Sequence, residues 1–261
     1  MPASGSTVSP SGIRVLVTRP VEQAEALALL LQEAGFKTVK LPCIEISPLN
    51  PEDLQFDYRD HDVVIFTSVH AVVALQSVQP FPWHGGKTAV LAVGPATAKS
   101  LKDCGQNVTE EPLHPFNSEA LLKTATLNSS KSSRVAIIKG AGGRVVLEKN
   151  LQQRSFIVNN IITYRRLLPE TSKAQLEAAF LNSPVDIVTI TSNEMLHNLI
   201  ELAGQQFRKH LIRLPLAVSS PRAAVEAKNF GFQNAIMVAS EPGNTGLLSA
   251  IRQWAHSRGG I

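Results

Sequence analysis

The chain has 261 residues, 44% of them hydrophobic and 18% charged, with a formal net charge of +4 when its seven histidines are neutral. That length has room for two domains of about 100–150 residues, and no apolar run approaches the roughly 18–20 residues of a membrane span. The mild positive charge, without a block of like charge and with few aromatics, argues against a nucleic-acid platform and suits anionic small molecules.

The first dozen residues are small and polar and lack the basic start and apolar centre of a secretory signal, so a frayed terminus is expected. Cys43 and Cys104 lie 61 residues apart, with no C-x-x-C or His-x-Cys spacing. This points to reduced thiols in a cytoplasmic protein rather than a disulfide framework. The scattered histidines show no ligand spacing, which argues against a metal site.

Ile13 to Thr18 is a compact apolar run ending at Arg19-Pro20, and it reads as a buried parallel strand. A helix is predicted over Glu22–Ala34 and stops at Gly35. Lys37 to Pro42 alternates like a strand, Ile44-Glu45-Ile46 extends it, and Pro48 and Pro51 mark a crossing. Asp62-Val63-Val64-Ile65-Phe66-Thr67-Ser68 is then a buried strand emptying into a hydroxyl-bearing loop, with a helix over Ala71–Val78. Pro80–Gly86 is a loop. A strand over Thr88–Val93 ends at Gly94-Pro95-Ala96-Thr97, and a helix runs over Ala98–Asp103 to Gly105. Asn107-Val108-Thr109 is expected as a short strand. Asn117-Ser118 caps a helix, and 128–133 is a polar loop. Arg134–Ile138 is a strand ending at Lys139-Gly140-Ala141-Gly142-Gly143-Arg144. A helix to about Arg154 and an extended segment from Phe156 to Tyr164 follow, before Arg165-Arg166. Further helices are predicted over Ala174–Leu181, Leu196–Leu202, residues up to Asn229, and Gly246–Ala255, the last capped by Asn244-Thr245. Strands are predicted over 186–190, 214–218 and 235–239.

The second half repeats the first. Asp186-Ile187-Val188-Thr189-Ile190-Thr191-Ser192 echoes Asp62–Ser68 at an offset of 124, and Ser220-Pro221 answers Gly94-Pro95 at 126. Gly231 answers Gly105 at 126, Asn244-Thr245 answers Asn117-Ser118 at 127, and Ser155-Phe156 answers Gly35-Phe36 at 120. Loop insertions account for the drift, so the chain reads as two copies of one strand–helix unit. The expected fold is α/β: two similar domains, each a parallel sheet flanked by helices (flavodoxin-like), joined by two extended crossings. Crossings near 42–51 and 157–168 would pair residues 1–41 with 168–261 in a discontinuous domain, with 42–167 inserted. Ligands bind outside the carboxyl ends of parallel strands. The Thr-Ser, Gly-Pro and Lys-Gly loops of the two domains would then face one another across a cleft.

Hydroxyls, glycines and helix N-termini in these loops suit carboxylate or phosphate binding, yet Thr-Ser before a helix is also common capping chemistry. Both readings stand for Thr67-Ser68 and Thr191-Ser192. The run from Lys139 to Arg144 resembles a phosphate cradle but lacks both G-x-G-x-x-G and the Walker lysine-hydroxyl end, which sets a nucleotide aside. No G-x-S-x-G elbow supports a serine hydrolase. His70 sits in a candidate cleft loop and reads more readily as a surface residue than as a functional group. Tyr164, beside Arg165-Arg166, is either a half-buried strand aromatic or a phenol able to donate a proton, with nearby cations favouring phenolate.

Taken in order, these residues resemble the uroporphyrinogen-III synthase family, in its proteobacterial form. Val15-Leu16-Val17-Thr18-Arg19-Pro20, Leu41-Pro42-Cys43-Ile44-Glu45-Ile46, Asp62–Val72, Val93–Ala98, Thr163-Tyr164, Ser220-Pro221-Arg222, Gly231-Phe232 and Val238-Ala239 carry the likeness over nearly the whole chain. The resemblance implies a cytoplasmic, monomeric lyase (hydro-lyase) of tetrapyrrole (haem, sirohaem, cobalamin) biosynthesis, with no metal or organic cofactor, no nucleic acid and no membrane. Its substrate would be hydroxymethylbilane, an octacarboxylate, and its product uroporphyrinogen III. Loss of the ring A hydroxyl would give an azafulvene. Ring D would attack it through its substituted carbon to form a spiro intermediate, which fragments and recloses inverted.

The resemblance makes Tyr164 the expected general acid. Thr18, Arg19, Thr67, Ser68, Gly94, Thr97, Lys139, Gly140, Ser192 and Ser220 are the expected substrate-binding set. Ala223 stands where some relatives carry a hydroxyl, and Glu194 where a small or polar residue is common. The alternative class is a non-enzymatic two-domain anion-binding receptor.

Overall fold

The computed structural model describes residues 12–83, 87–111, 113–129, 133–142, 145–171, 173–182 and 184–258. Residues 1–11 of the terminus expected to fray, Gly85-Gly86 of the expected loop, residues 130–132 of the expected polar loop and Gly143-Arg144 lie outside the described residues. In chain order the elements are β1 (Arg14–Val17), α1 (Val21–Glu33), β2 (Lys37–Lys40), β3 (Glu45–Pro48), β4 (Val63–Phe66), α2 (Val69–Gln76), β5 (Ala89–Ala92) and α3 (Pro95–Asp103). Then follow α4 (Ser118–Leu121), α5 (Ala125–Ser129), β6 (Arg134–Gly140), α6 (Val146–Gln153) and β7 (Ile157–Leu167). The last elements are α7 (Lys173–Glu177), β8 (Ile187–Ile190), α8 (Asn193–Leu211), β9 (Leu216–Val218), α9 (Pro221–Asn229), β10 (Ile236–Val238) and α10 (Asn244–Arg258).

The chain divides into two compact units, Met1–Glu45 with Leu167–Ile261, and Ile46–Arg166. The first carries a sheet of order β10-β9-β8-β1-β2, the second a sheet of order β3-β7-β6-β4-β5. Numbered along the chain, the first order is 2-1-3-4-5, the flavodoxin-like winding. The second keeps the same four-strand heart in permuted order, β7-β6-β4-β5. The four strands of that heart pair in parallel, as do those of the first sheet. Both central strands, Val63–Phe66 and Ile187–Ile190, are buried throughout, because helices cover both faces and no residue alternates toward water. Apolar clusters line each face, those built on Leu16 and Val15 in the first unit and on Val64 and Ile65 in the second.

The register reproduces the internal repeat. In the second unit Val63 pairs with Val135 and Arg134 with Ile157; in the first, Ile187 pairs with Val15 and Arg14 with Lys37. These pairs are related by the sequence offsets of 124 and 120. The echoed aspartates do the same work in each unit. Asp62 accepts the Arg134 amide at 2.8 Å and Asp186 the Arg14 amide at 2.9 Å, each tying the start of a neighbouring strand. Helix ends match as well. Gly35, Gly105 and Gly231 take positive φ, and the next residue's amide returns five residues to Leu31, Leu101 and Ala227, the bond that closes a helix with a left-handed residue. Ser155 fills the fourth such position at φ 66°, with Phe156 bonded back to Leu151.

Several elements differ from expectation. Asn107–Thr109 forms no strand; Leu91 and Glu110 make a single bridge. Thr109 Oγ1 accepts the Val90 amide at 2.8 Å, so a side chain replaces a ladder carbonyl. The Glu110 carboxylate accepts from the Ala125 and Thr126 amides, anchoring α5 where the polar loop was expected to begin. The helix expected over Leu196–Leu202 runs from Asn193 to Leu211, past a non-helical Gly204 at φ 54°. The helix expected over Ala174–Leu181 passes into a π-helical turn at Ala178–Asn182. Asn244 opens α10, and its Oδ1 accepts from Arg19 Nη1 at 2.9 Å.

Candidate active site

In the second unit the winding reverses between β6 and β4, and a parallel sheet offers its ligand crevice at the carboxyl ends on either side of such a point. A pocket of about 190 Å³ lies there, lined among others by Thr67, Ser68, Lys139, Gly140, Tyr164 and Arg166. Five of the residues singled out in the sequence therefore meet in one place. Three chain segments bring them: the loop after β4, the end of β6, and β7.

Tyr164 is the centre of this group. It is 1% exposed, the largest fully buried side chain of the molecule's described part. Its hydroxyl lies 3.0 Å from Ser68 Oγ and accepts from Arg166 Nη2 at 3.1 Å. Arg166 also stands over the ring, with Cζ 5.4 Å from the centroid. Strand alternation explains which arginine does this: residues 164 and 166 share a face, whereas Arg165 points away. The His70 ring lies 5.7 Å from the Tyr164 ring on the first turn of α2.

Gly140 makes room for the phenol. The β6–β7 register runs Lys139↔Ile162 and then Gly140↔Tyr164, a bulge that lets the Tyr164 ring cross over the glycine. A Cβ on Gly140 would stand 2.5 Å from Tyr164 Cζ and 2.9 Å from its hydroxyl oxygen. The carbonyl of Tyr164 in turn accepts the Ala141 amide at 2.8 Å, holding the loop in place.

Both strand-end hydroxyls line the pocket while making hydrogen bonds of their own. Ser68 caps α2 by accepting the Ala71 amide at 3.2 Å, and Thr67 donates to the Ile138 carbonyl at 3.1 Å. Gly94 caps α3 with Pro95 at the first helical position, and Val93 beside it lines the pocket. Lys139 lines the pocket and has no acidic partner among the described residues. Thr97 is buried on the inward face of α3, alongside Leu101. Ser118, Glu148 and Asn160 also line the pocket. Their spacing gave no signal, because each comes from an element whose neighbours are set by packing.

In the first unit the equivalent reversal lies between β1 and β8. Ser192 caps α8 through the Met195 amide and Ser220 caps α9 through the Ala223 amide. Thr18 is fully buried, and its hydroxyl donates to the Thr189 carbonyl at 2.6 Å, so its side chain belongs to the sheet. Arg19 is half-buried, and burial lowers its pKa below the ordinary arginine value. Its Nε is buried with no hydrogen-bond partner. Among the described residues no group of three or more His, Cys, Asp and Glu is placed to hold a metal ion, and no helix is long and apolar enough to cross a membrane.

Parallel α/β units with hydroxyl-capped helix ends and a buried phenol at the strand reversal define a class suited to anionic ligands and proton transfer. The family model described as uroporphyrinogen-III synthase HemD matches residues 25–249. The chain is 30% identical to the uroporphyrinogen-III synthase of Salmonella typhimurium over 91% of its length and 99% of that protein, and 31% identical to the one from Escherichia coli over the same shares. In fold it is similar to the uroporphyrinogen-III synthetase of Helicobacter pylori, with a TM-score of 0.62 at 16% identity over 93% of this chain and 99% of that one. The chain belongs to the uroporphyrinogen-III synthase family.

Proposed function

We propose that this protein closes hydroxymethylbilane with loss of water and inversion of the last pyrrole, yielding uroporphyrinogen III. The observation that carries the reading is the buried Tyr164 hydroxyl, held between Ser68 and Arg166 at the strand reversal of the second unit. The pyrroles are electron-rich and supply the driving force for losing the hydroxyl. The protein's part is to supply one proton, hold the chain folded, and exclude closure without inversion.

Tyr164 is the proton source in this reading. The guanidinium of Arg166, whose Nη2 lies 3.1 Å from the phenol oxygen, stands ready to stabilise the phenolate left behind. Lys139, Thr67, the amides at the start of α2 and α3, and the Ser192- and Ser220-capped helices hold carboxylates. Arg19 belongs to the same set, since an anion would offset the unfavourable burial of its charge. A pocket of about 190 Å³ is smaller than the roughly 300–1,000 Å³ of sites for drug-sized ligands. It suits one acidic arm or one ring of the substrate.

The reading extends to a cytoplasmic monomer, in keeping with two unpaired cysteines and a mild net charge. The Salmonella typhimurium and Escherichia coli relatives are named as synthases, which favours the enzyme over a non-enzymatic anion receptor. Purified protein given hydroxymethylbilane is expected to yield the type III isomer, resolved chromatographically after oxidation. Formation of only the spontaneous type I isomer would overturn the assignment.

A further inference from the structure

We propose that Ser68, and not Tyr164 itself, is the group that hands the proton to the departing hydroxyl, with Tyr164 recharging it from behind. The proposal rests on the reading of Tyr164 as proton source and deepens it.

The hydrogen-bond directions around the two oxygens lead to this order. Arg166 Nη2 and the Ala71 amide can only donate, so the Tyr164 oxygen accepts from Arg166 and Ser68 Oγ accepts from Ala71. One proton is shared across the 3.0 Å between the oxygens. Were Ser68 to donate it, the Tyr164 proton would be left without an acceptor on a side chain that is 1% exposed. A buried, unsatisfied donor is the costly choice. Tyr164 therefore donates to Ser68, and the Ser68 proton is the one turned to the pocket. Ser68 is only half-buried and lines that pocket.

The step balances without a co-reactant. The C–O bond of the hydroxymethyl arm breaks, its electron pair goes to oxygen, and that oxygen takes the Ser68 proton and leaves as water. Ser68 takes the Tyr164 proton, and the phenolate remains against Arg166. The cationic azafulvene is attacked, and the ring carbon that closes the macrocycle loses one proton. That proton returns through Ser68 to Tyr164.

Four proteins test the proposal: Ser68→Asn, Ser68→Thr, Tyr164→Phe and the Asn/Phe double variant. Asparagine keeps the helix cap but has no hydroxyl to relay a proton; threonine keeps both. Circular dichroism and thermal melts report folding. Ser68→Thr, the milder change, keeps the test open should Ser68→Asn not fold. Turnover to the type III isomer is expected to fall about 10²–10⁴-fold in Ser68→Asn, mainly in kcat and as far as in Tyr164→Phe. Ser68→Thr should retain most activity, and the double variant should lose no more than either single one. A raised KM with unchanged kcat in Ser68→Asn would make Ser68 a carboxylate holder and overturn the relay. So would multiplied losses in the double variant, or a Ser68→Thr as inactive as Ser68→Asn. Unchanged turnover in Tyr164→Phe would instead remove the proton-source reading beneath it.

Discussion

Gly140 and Tyr164 cannot both carry a side chain in their present places: a Cβ on the first would lie 2.5 Å from Cζ of the second. The contact joins the last residue of β6 to the buried phenol on β7. It depends on the register shift between them. Gly140→Ala should therefore push the ring away from Ser68 and Arg166. We expect a loss of stability of about 1–3 kcal/mol, as for overpacking in a tight core. Turnover should fall well beyond what that loss explains. Urea melts and steady-state kinetics on the same preparation check it. An alanine variant with normal kcat would mean that the phenol's placement is not critical.

Ser155 occupies a place that glycine fills in three equivalent turns. Its φ of 66° is unfavourable for any residue with a Cβ, by about 1–2 kcal/mol. Glycine's greater unfolded-state freedom offsets part of the relief. Ser155→Gly is expected to stabilise the protein by about 0.5–1 kcal/mol, seen as a higher Tm with unchanged activity. A lower Tm would show that the serine side chain contributes more than the turn geometry loses.

Cys43 is fully buried, with its thiol directed at the Leu41 carbonyl 3.3 Å away. Burial pushes its pKa well above the ordinary thiol value of about 9. The raised folded-state pKa sets the sign. Below pH 9 both states keep the proton and stability is unaffected; above it only the unfolded chain ionises and stability falls. The expected slope is about 1.4 kcal/mol per pH unit. Denaturant melts between pH 8 and 10.5 should show this decline in the parent and a shallower one in Cys43→Ala. Equal slopes would contradict it.

Much of this was legible in the residues. The repeat was visible because Asp62 and Asp186 have the same task in both units, and a strand end cannot drift in register without exposing its core. Thr67 and Ser68 could be placed at a ligand end because an apolar run followed by a hydroxyl cap marks the carboxyl end of a parallel strand. Other features depend on pairing that no local pattern records. Gly140 stood in a glycine-rich run resembling a phosphate cradle, whereas its demand comes from a ring 24 positions away. Thr18 looked like Thr67 in sequence, but its hydroxyl turns into the sheet toward Thr189. Thr109 substitutes a hydroxyl for a ladder carbonyl, so a strand-like triplet yields only a bridge.

The central claim is that Tyr164 supplies the proton for loss of the hydroxyl, and turnover of hydroxymethylbilane by Tyr164→Phe tests it most directly. Removing one oxygen leaves the ring packed beneath Gly140, so the variant should melt close to the parent. Its kcat for the type III isomer is expected to fall by about 10²–10⁴-fold, the usual contribution of a positioned general acid, with little change in KM. A folded Tyr164→Phe protein turning over at the parental rate would contradict the account.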